Sequence, residues 1–93
     1  MAVKPRAQVH EFRLILAGVE ELTPDLADAL YQAFDDGTAG SCAGEVTIDF
    51  HREAASFQQA VQSAIEDVRK AGLQLARVES AESRLVEKIN AAL

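Results

Sequence analysis

Glu45-Val46-Thr47-Ile48-Asp49-Phe50-His51-Arg52-Glu53-Ala54-Ala55-Ser56-Phe57 lies inside the stretch, residues 44–72, whose reading decides the fold. Val46, Ile48 and Phe50 alternate with Thr47 and Asp49, the period of two that marks a strand with one buried face. After residues 51–55 the period changes. Phe57, Ala60, Val61, Ala64, Ile65, Val68 and Ala71 recur at steps of three and four, one apolar stripe along a helix. Ser56 with Gln59 three residues on forms a capping box, which gives partners to amides that a first helical turn leaves bare. Lys70 and Gly72 fit the helix C-terminus, where a cation meets the negative end of the dipole and a left-handed Gly closes the last turn.

Working outward, residues 9–16 read as a first strand, with Phe12, Leu14 and Leu16 toward the core and Glu11, Arg13 and Ile15 away from it. Thr23-Pro24-Asp25 starts a helix. Thr23 caps it, Pro24 stands where a missing N–H costs nothing, and Asp25 meets the positive end of the dipole. Leu26, Leu30 and Phe34 form its buried stripe, and it is expected to end near Asp35 or Asp36. Residues 35–44, small and polar, read as a loop longer than the usual helix-to-strand connection. Residues 73–78 make a third strand, with Leu73 and Leu75 on one face, Ala76 and Val78 on the other, and room for a bulge. Ser80 then caps a last helix with Leu85, Ile89 and Leu93 on one side.

The fold class is therefore α/β or α+β, in the order βαβαβα. A three-stranded sheet carries two long helices on one face and a C-terminal helix. Residues 1–8 are a loose lead-in, 9–79 the α/β domain and 80–93 a C-terminal amphipathic helix. The face away from the long helices should show Arg13, Ile15, Thr47, Asp49, Gln74 and Ala76, covered by the last helix or by a second subunit.

With 93 residues the chain makes one small domain with a modest core. Its net charge of -6 argues against nonspecific nucleic-acid binding, which needs clustered Lys and Arg to displace counterions, and against an anionic membrane surface. No apolar run approaches the ~20 residues of a membrane span. A single Cys42 makes no intrachain disulfide, and a reducing cytoplasm is the expected location.

Four constellations carry possible chemistry. The Gly-rich residues 37–44 suggest a phosphate cradle, but such cradles run strand, loop, helix, and here a helix precedes and acidic Asp35 and Asp36 repel phosphate. Asp35, Asp36, Asp49 and His51 are residue types that ligate metals, at no known ligand spacing, and define the alternative of a small metal- or ligand-dependent enzyme. Cys42 with His51 and Asp49 has the composition of a thiol catalyst, without positive surroundings to favour the thiolate. Arg52, beside Glu53, stands where strand passes to helix and can pair with the Asp35-Asp36 dyad or with a partner's carboxylate. No catalytic set and no cofactor follow from these patterns.

Phe34-Asp35-Asp36-Gly37-Thr38, residues 46–53 and Ser63-Ala64-Ile65, with the helix that ends at Gly72, together resemble a group of small bacterial α/β proteins. These carry an acidic pair after the first helix, Phe-x-Arg-Glu-Ala after the second strand, and a Ser-Ala-Ile run. The resemblance covers residues 12–79. Some such proteins continue into a helix-turn-helix and look like DNA-binding regulators or antitoxin-like components. Here residues 85–93 supply only a first helix of such a unit, so DNA binding is not carried over, and a truncated DNA-binding regulator or antitoxin-like component stands as a third reading. The resemblance implies no catalytic residues. The expectation is a non-catalytic interaction or regulatory module that binds a protein partner or a second copy as a homodimer. Asp35, Asp36, Arg52, Glu53, Leu85, Ile89 and Leu93 would be its contact residues.

Overall fold

The computed structural model describes residues 8–80 and 90–91. In chain order the elements are β1 (Gln8–Ala17), α1 (Pro24–Ala33), β2 (Gly37–Cys42), β3 (Glu45–Ala54), α2 (Phe57–Lys70) and β4 (Gln74–Glu79). The four strands form one antiparallel sheet in the order β2-β3-β1-β4. This is the split βαβ topology, a frame that hosts many unrelated functions.

The central block is as its periodicity predicts. Val46, Ile48 and Phe50 join Phe12, Leu14 and Leu16 under one layer of helix side chains, among them Leu30, Val61, Ala64 and Val68, with Phe34 just past α1. Both helices thus cover the same sheet face. Thr23 Oγ1 accepts from the Leu26 amide at 3.2 Å and Ser56 Oγ from the Gln59 amide at 3.1 Å, so both caps form. α2 ends in a Schellman turn: the Gly72 amide donates to Arg69 and the Leu73 amide to Val68, with Gly72 at φ +86°.

Three expectations are corrected. The sheet has four strands, not three, and the order is βαββαβ, because residues 37–42 of the expected loop pair with β3. Ala43 (φ 52°) and Gly44 (φ 79°) form the two-residue connection, both left-handed, as a type I′ hairpin requires. α1 ends at Ala33, before the acidic pair, and Phe34 already has extended backbone. In β4 the pairing register shifts between Ile15 and Leu16 of β1, so Ala76 is the extra residue of a bulge. That slip turns Leu75 and Val78 toward the same core, where strict alternation had set them on opposite faces. Gln8 belongs to β1; residues 1–7 of the lead-in lie outside the described residues. So do Leu85, Ile89, Leu93 and the expected C-terminal helix, apart from helical Asn90 and Ala91.

Gly37 is demanded by packing. A Cβ there would stand 2.9 Å from a Phe34 ring carbon and 3.0 Å from Ile48, so the β2 backbone lies against the core with no room for a side chain.

Candidate interaction site

Arg52 is the best-held charged side chain among the described residues, 11% exposed. Its Nε and Nη2 grip both Asp36 oxygens at 2.7 and 2.8 Å, and Nη2 also meets Asp67 of α2 at 2.9 Å. Nη1 donates to Ser63 Oγ at 3.1 Å, and the guanidinium carbon stands 5.1 Å from the Phe50 ring centroid. The hydrogen bond from Arg52 holds the Asp36 carboxyl below the usual carboxylate range, and those of Asp36 and Asp67 hold the guanidinium charged. A guanidinium so fully engaged has little left for a partner. It binds the start of β2 to β3 and α2. Asp35 and Glu53 are exposed and make no ion pair among the described residues.

The sheet face away from the helices carries cross-strand pairs. Arg13 is bidentate to Asp49 at 2.6 and 3.3 Å, His51 Nδ1 lies 3.1 Å from Glu11, and Arg77 reaches Glu45 at 2.9 Å. The side chains of these pairs are about two-fifths exposed or more, so water and salt screen them and they add little to stability. Glu11, Arg13, Asp49, His51 and Glu79 border an open depression of about 430 Å³. Ile15, 1% exposed, is on this face, as its alternation predicts.

The residues of the metal reading are not brought together. Asp49 and His51 lie on this face, each paired with a charged neighbour. Asp36 lies on the helix side under Arg52, and among the described residues no three His, Cys, Asp or Glu form a ligand group. Cys42, exposed, pairs across the hairpin with Glu45, and His51 follows six residues along β3, roughly 20 Å away by strand rise. The thiol set is not assembled.

The two outer strands end the sheet in different ways. On β4, the Asn90 carboxamide accepts from the Val78 amide at 2.8 Å and donates to the Val78 carbonyl at 3.1 Å. It stands where the next strand would, and the Ala76 bulge twists the same edge. On β2, the Ala39 amide points away from β3 and donates to the Tyr31 hydroxyl at 3.4 Å, a long bond. By alternation, the amides and carbonyls of Gly37 and Ser41 point outward too. β2 carries no charge and no Pro, the devices that usually close an edge to pairing.

The same flank is electrically one-sided. Between Arg13 and Arg52 the sequence has eight acidic residues, from Glu20 to Asp49, and no Lys or Arg. Asp36, Glu45 and Asp49 have arginine partners; Asp25, Asp28 and Asp35 are exposed and form no ion pair among the described residues. α1 has no basic residue in its last turn, so its negative dipole end adds to the charge of Asp35. Reasoning from sequence missed the β2 edge. Its one signal was Ala43-Gly44 just before a strand.

No family model, curated protein or solved structure matches this chain.

Proposed function

We propose that this chain is a non-catalytic protein-interaction module of the cytoplasm, which engages its partner by strand addition at the outer edge of β2. One observation carries the reading: among the described residues, β4 is closed by Asn90 and a bulge, while β2 presents outward backbone groups with the Tyr31 hydroxyl alone against them. Backbone hydrogen bonds supply affinity in strand addition, and the flanking side chains choose the partner. On the other sheet face Arg13 and Arg77 are paired with carboxylates and His51 stands beside Glu11, an arrangement exposed to solvent rather than gathered for proton transfer. A regulatory role, as in the proteins the sequence resembles, is compatible with such a module.

The test is site-specific photo-crosslinking in the native cell. A crosslinker at Ser41 is expected to give a protein adduct that Ala39→Pro abolishes, whereas one at Gln62 on the exposed side of α2 gives none. Proline suits position 39 because the lost N–H faces outward at an edge. Equal adducts from both sites, or an adduct indifferent to Ala39→Pro, would sink the reading.

A further inference from the structure

Resting on the interaction reading, we infer that the occupant of the β2 edge is an extended protein segment carrying Lys or Arg at alternate positions, those turned toward α1. An added strand would lie along six residues of β2, with its side chains alternating between the helix side and the open side. On the helix side it meets Tyr31, 50% exposed, whose hydroxyl already reaches Ala39. Asp28 stands one turn before Tyr31 on the same row of α1, and Asp35 follows the helix just before β2 starts. Cations from the added strand would therefore stand between two carboxylates and beside an exposed aromatic ring, in the field of the α1 C-terminus. On the open side it meets Thr38 and Gly40, which leave room for small or β-branched side chains.

Charge selects this occupant over a second copy. Two chains paired through β2 would bring the exposed Asp28 and Asp35 of one toward those of the other, and like charges juxtaposed across an interface are unfavourable. Strand pairing alone is indifferent to sequence. The acidic flank makes it selective, and it speeds encounter with a basic segment at low salt.

The probe is a short synthetic peptide alternating Lys with Val, compared with the same peptide alternating Glu with Val, titrated into the full chain by amide NMR and calorimetry. The Lys peptide is expected to shift the amides of Gly37, Ala39 and Ser41 and to bind at least roughly tenfold tighter than the Glu peptide, a gap that narrows as salt is raised. Ala39→Pro, which deletes its own amide, should abolish the shifts at Gly37 and Ser41 with little loss of thermal stability, since the one bond it removes is long and exposed. The double variant Asp28→Asn with Asp35→Asn, two surface changes that leave the fold alone, should weaken the Lys peptide severalfold and leave the Glu peptide no weaker. Tyr31→Phe, which deletes only the hydroxyl, should not weaken binding.

Equal binding of both peptides at β2 overturns the basic preference and leaves the interaction module standing. So does a chain that sediments as a dimer with its β2 amides protected, which makes a second copy the occupant. No binding by the Lys peptide, or binding that leaves the β2 amides unmoved, overturns the inference. The crosslink at Ser41 then decides separately whether the module reading survives.

Discussion

β4 and β2 are both edge strands of six residues, and they are held from opposite sides. β4 is gripped from outside, where Asn90 takes both outward groups of Val78. β2 is gripped from its base and inner side, where Arg52 fixes Asp36 one residue before the strand and Gly37 lies against Phe34 and Ile48. An edge held from outside has no vacancy for another strand. An edge held from inside keeps its order and leaves its outward backbone groups free to pair. Rigidity and availability, which usually oppose each other at a sheet edge, are here compatible because the restraint comes from the core side.

The comparison breaks most sharply at Arg52. Arg52→Gln leaves Asp36 and Asp67 near each other without their shared cation. The expected loss of stability is roughly 2–4 kcal/mol in urea unfolding, somewhat below a fully buried pair because both carboxylates keep some water. The pH dependence follows from the lowered Asp36 carboxyl. A carboxyl depressed in the folded state stabilises above its unfolded value of about 3.9, and that contribution is lost as pH falls through the folded value. The native chain should lose stability more steeply below about pH 4 than the Arg52→Gln chain does. Parallel acid limbs would show that the clamp contributes nothing. Next in size is Gly37→Ala, whose added methyl must displace Phe34 or Ile48, at a cost of about 1–3 kcal/mol. Amide exchange in β2 should accelerate more than in β4; the reverse order would mean that Gly37 does not anchor that edge.

How much of this was legible depends on how far each signal reaches. The strand at Val46–Ile48–Phe50, the stripe from Phe57 to Val68 and the caps Thr23 and Ser56 rest on neighbours in sequence, and they stand as read. β2 was illegible as a strand because Gly, Ala and Ser carry little strand preference and the lone Thr38 does not outweigh them. It pairs because the Ala43-Gly44 turn delivers it to β3 and because Gly37 fits against the core. A bulge in β4 was allowed for by the sequence and forms; its place at Ala76 depends on the partner strand's register, which alternation within β4 cannot report. For the site, the Arg52–Asp36 pair was visible as complementary residues near a junction. That Asp67 and Ser63 complete it, and so occupy most of the Arg52 guanidinium, required the α2 face to be in place.

The outer edge of β4 supplies the next test. Asn90→Ala removes one acceptor and one donor from Val78, with an expected cost of about 1–2 kcal/mol, and the Val78 amide should exchange far faster. It also makes β4 resemble β2, an edge open to pairing, so concentration-dependent self-association should be stronger than in the native chain. A Val78 amide that stays protected would show that Asn90 does not close this edge.

The smallest effect sharpens the comparison from the β2 side and has the opposite sign. Ala43 holds a left-handed φ of 52° in a two-residue turn whose second position is already Gly. Alanine has no side-chain group to offset that conformation, whereas asparagine adopts it with local hydrogen bonding, and Asn-Gly is the preferred pair for this turn. Ala43→Asn should therefore stabilise the chain by about 0.5–1 kcal/mol, a rise of a few degrees in Tm. The gain comes from the turn, far from the outward amides of Gly37 and Ala39, so peptide binding at β2 should be unchanged or slightly tighter as the strand is better ordered. A stabilised hairpin that binds the Lys peptide markedly less well would mean that β2 must leave β3 to receive its partner. Its availability would then come from looseness and not from restraint on the core side.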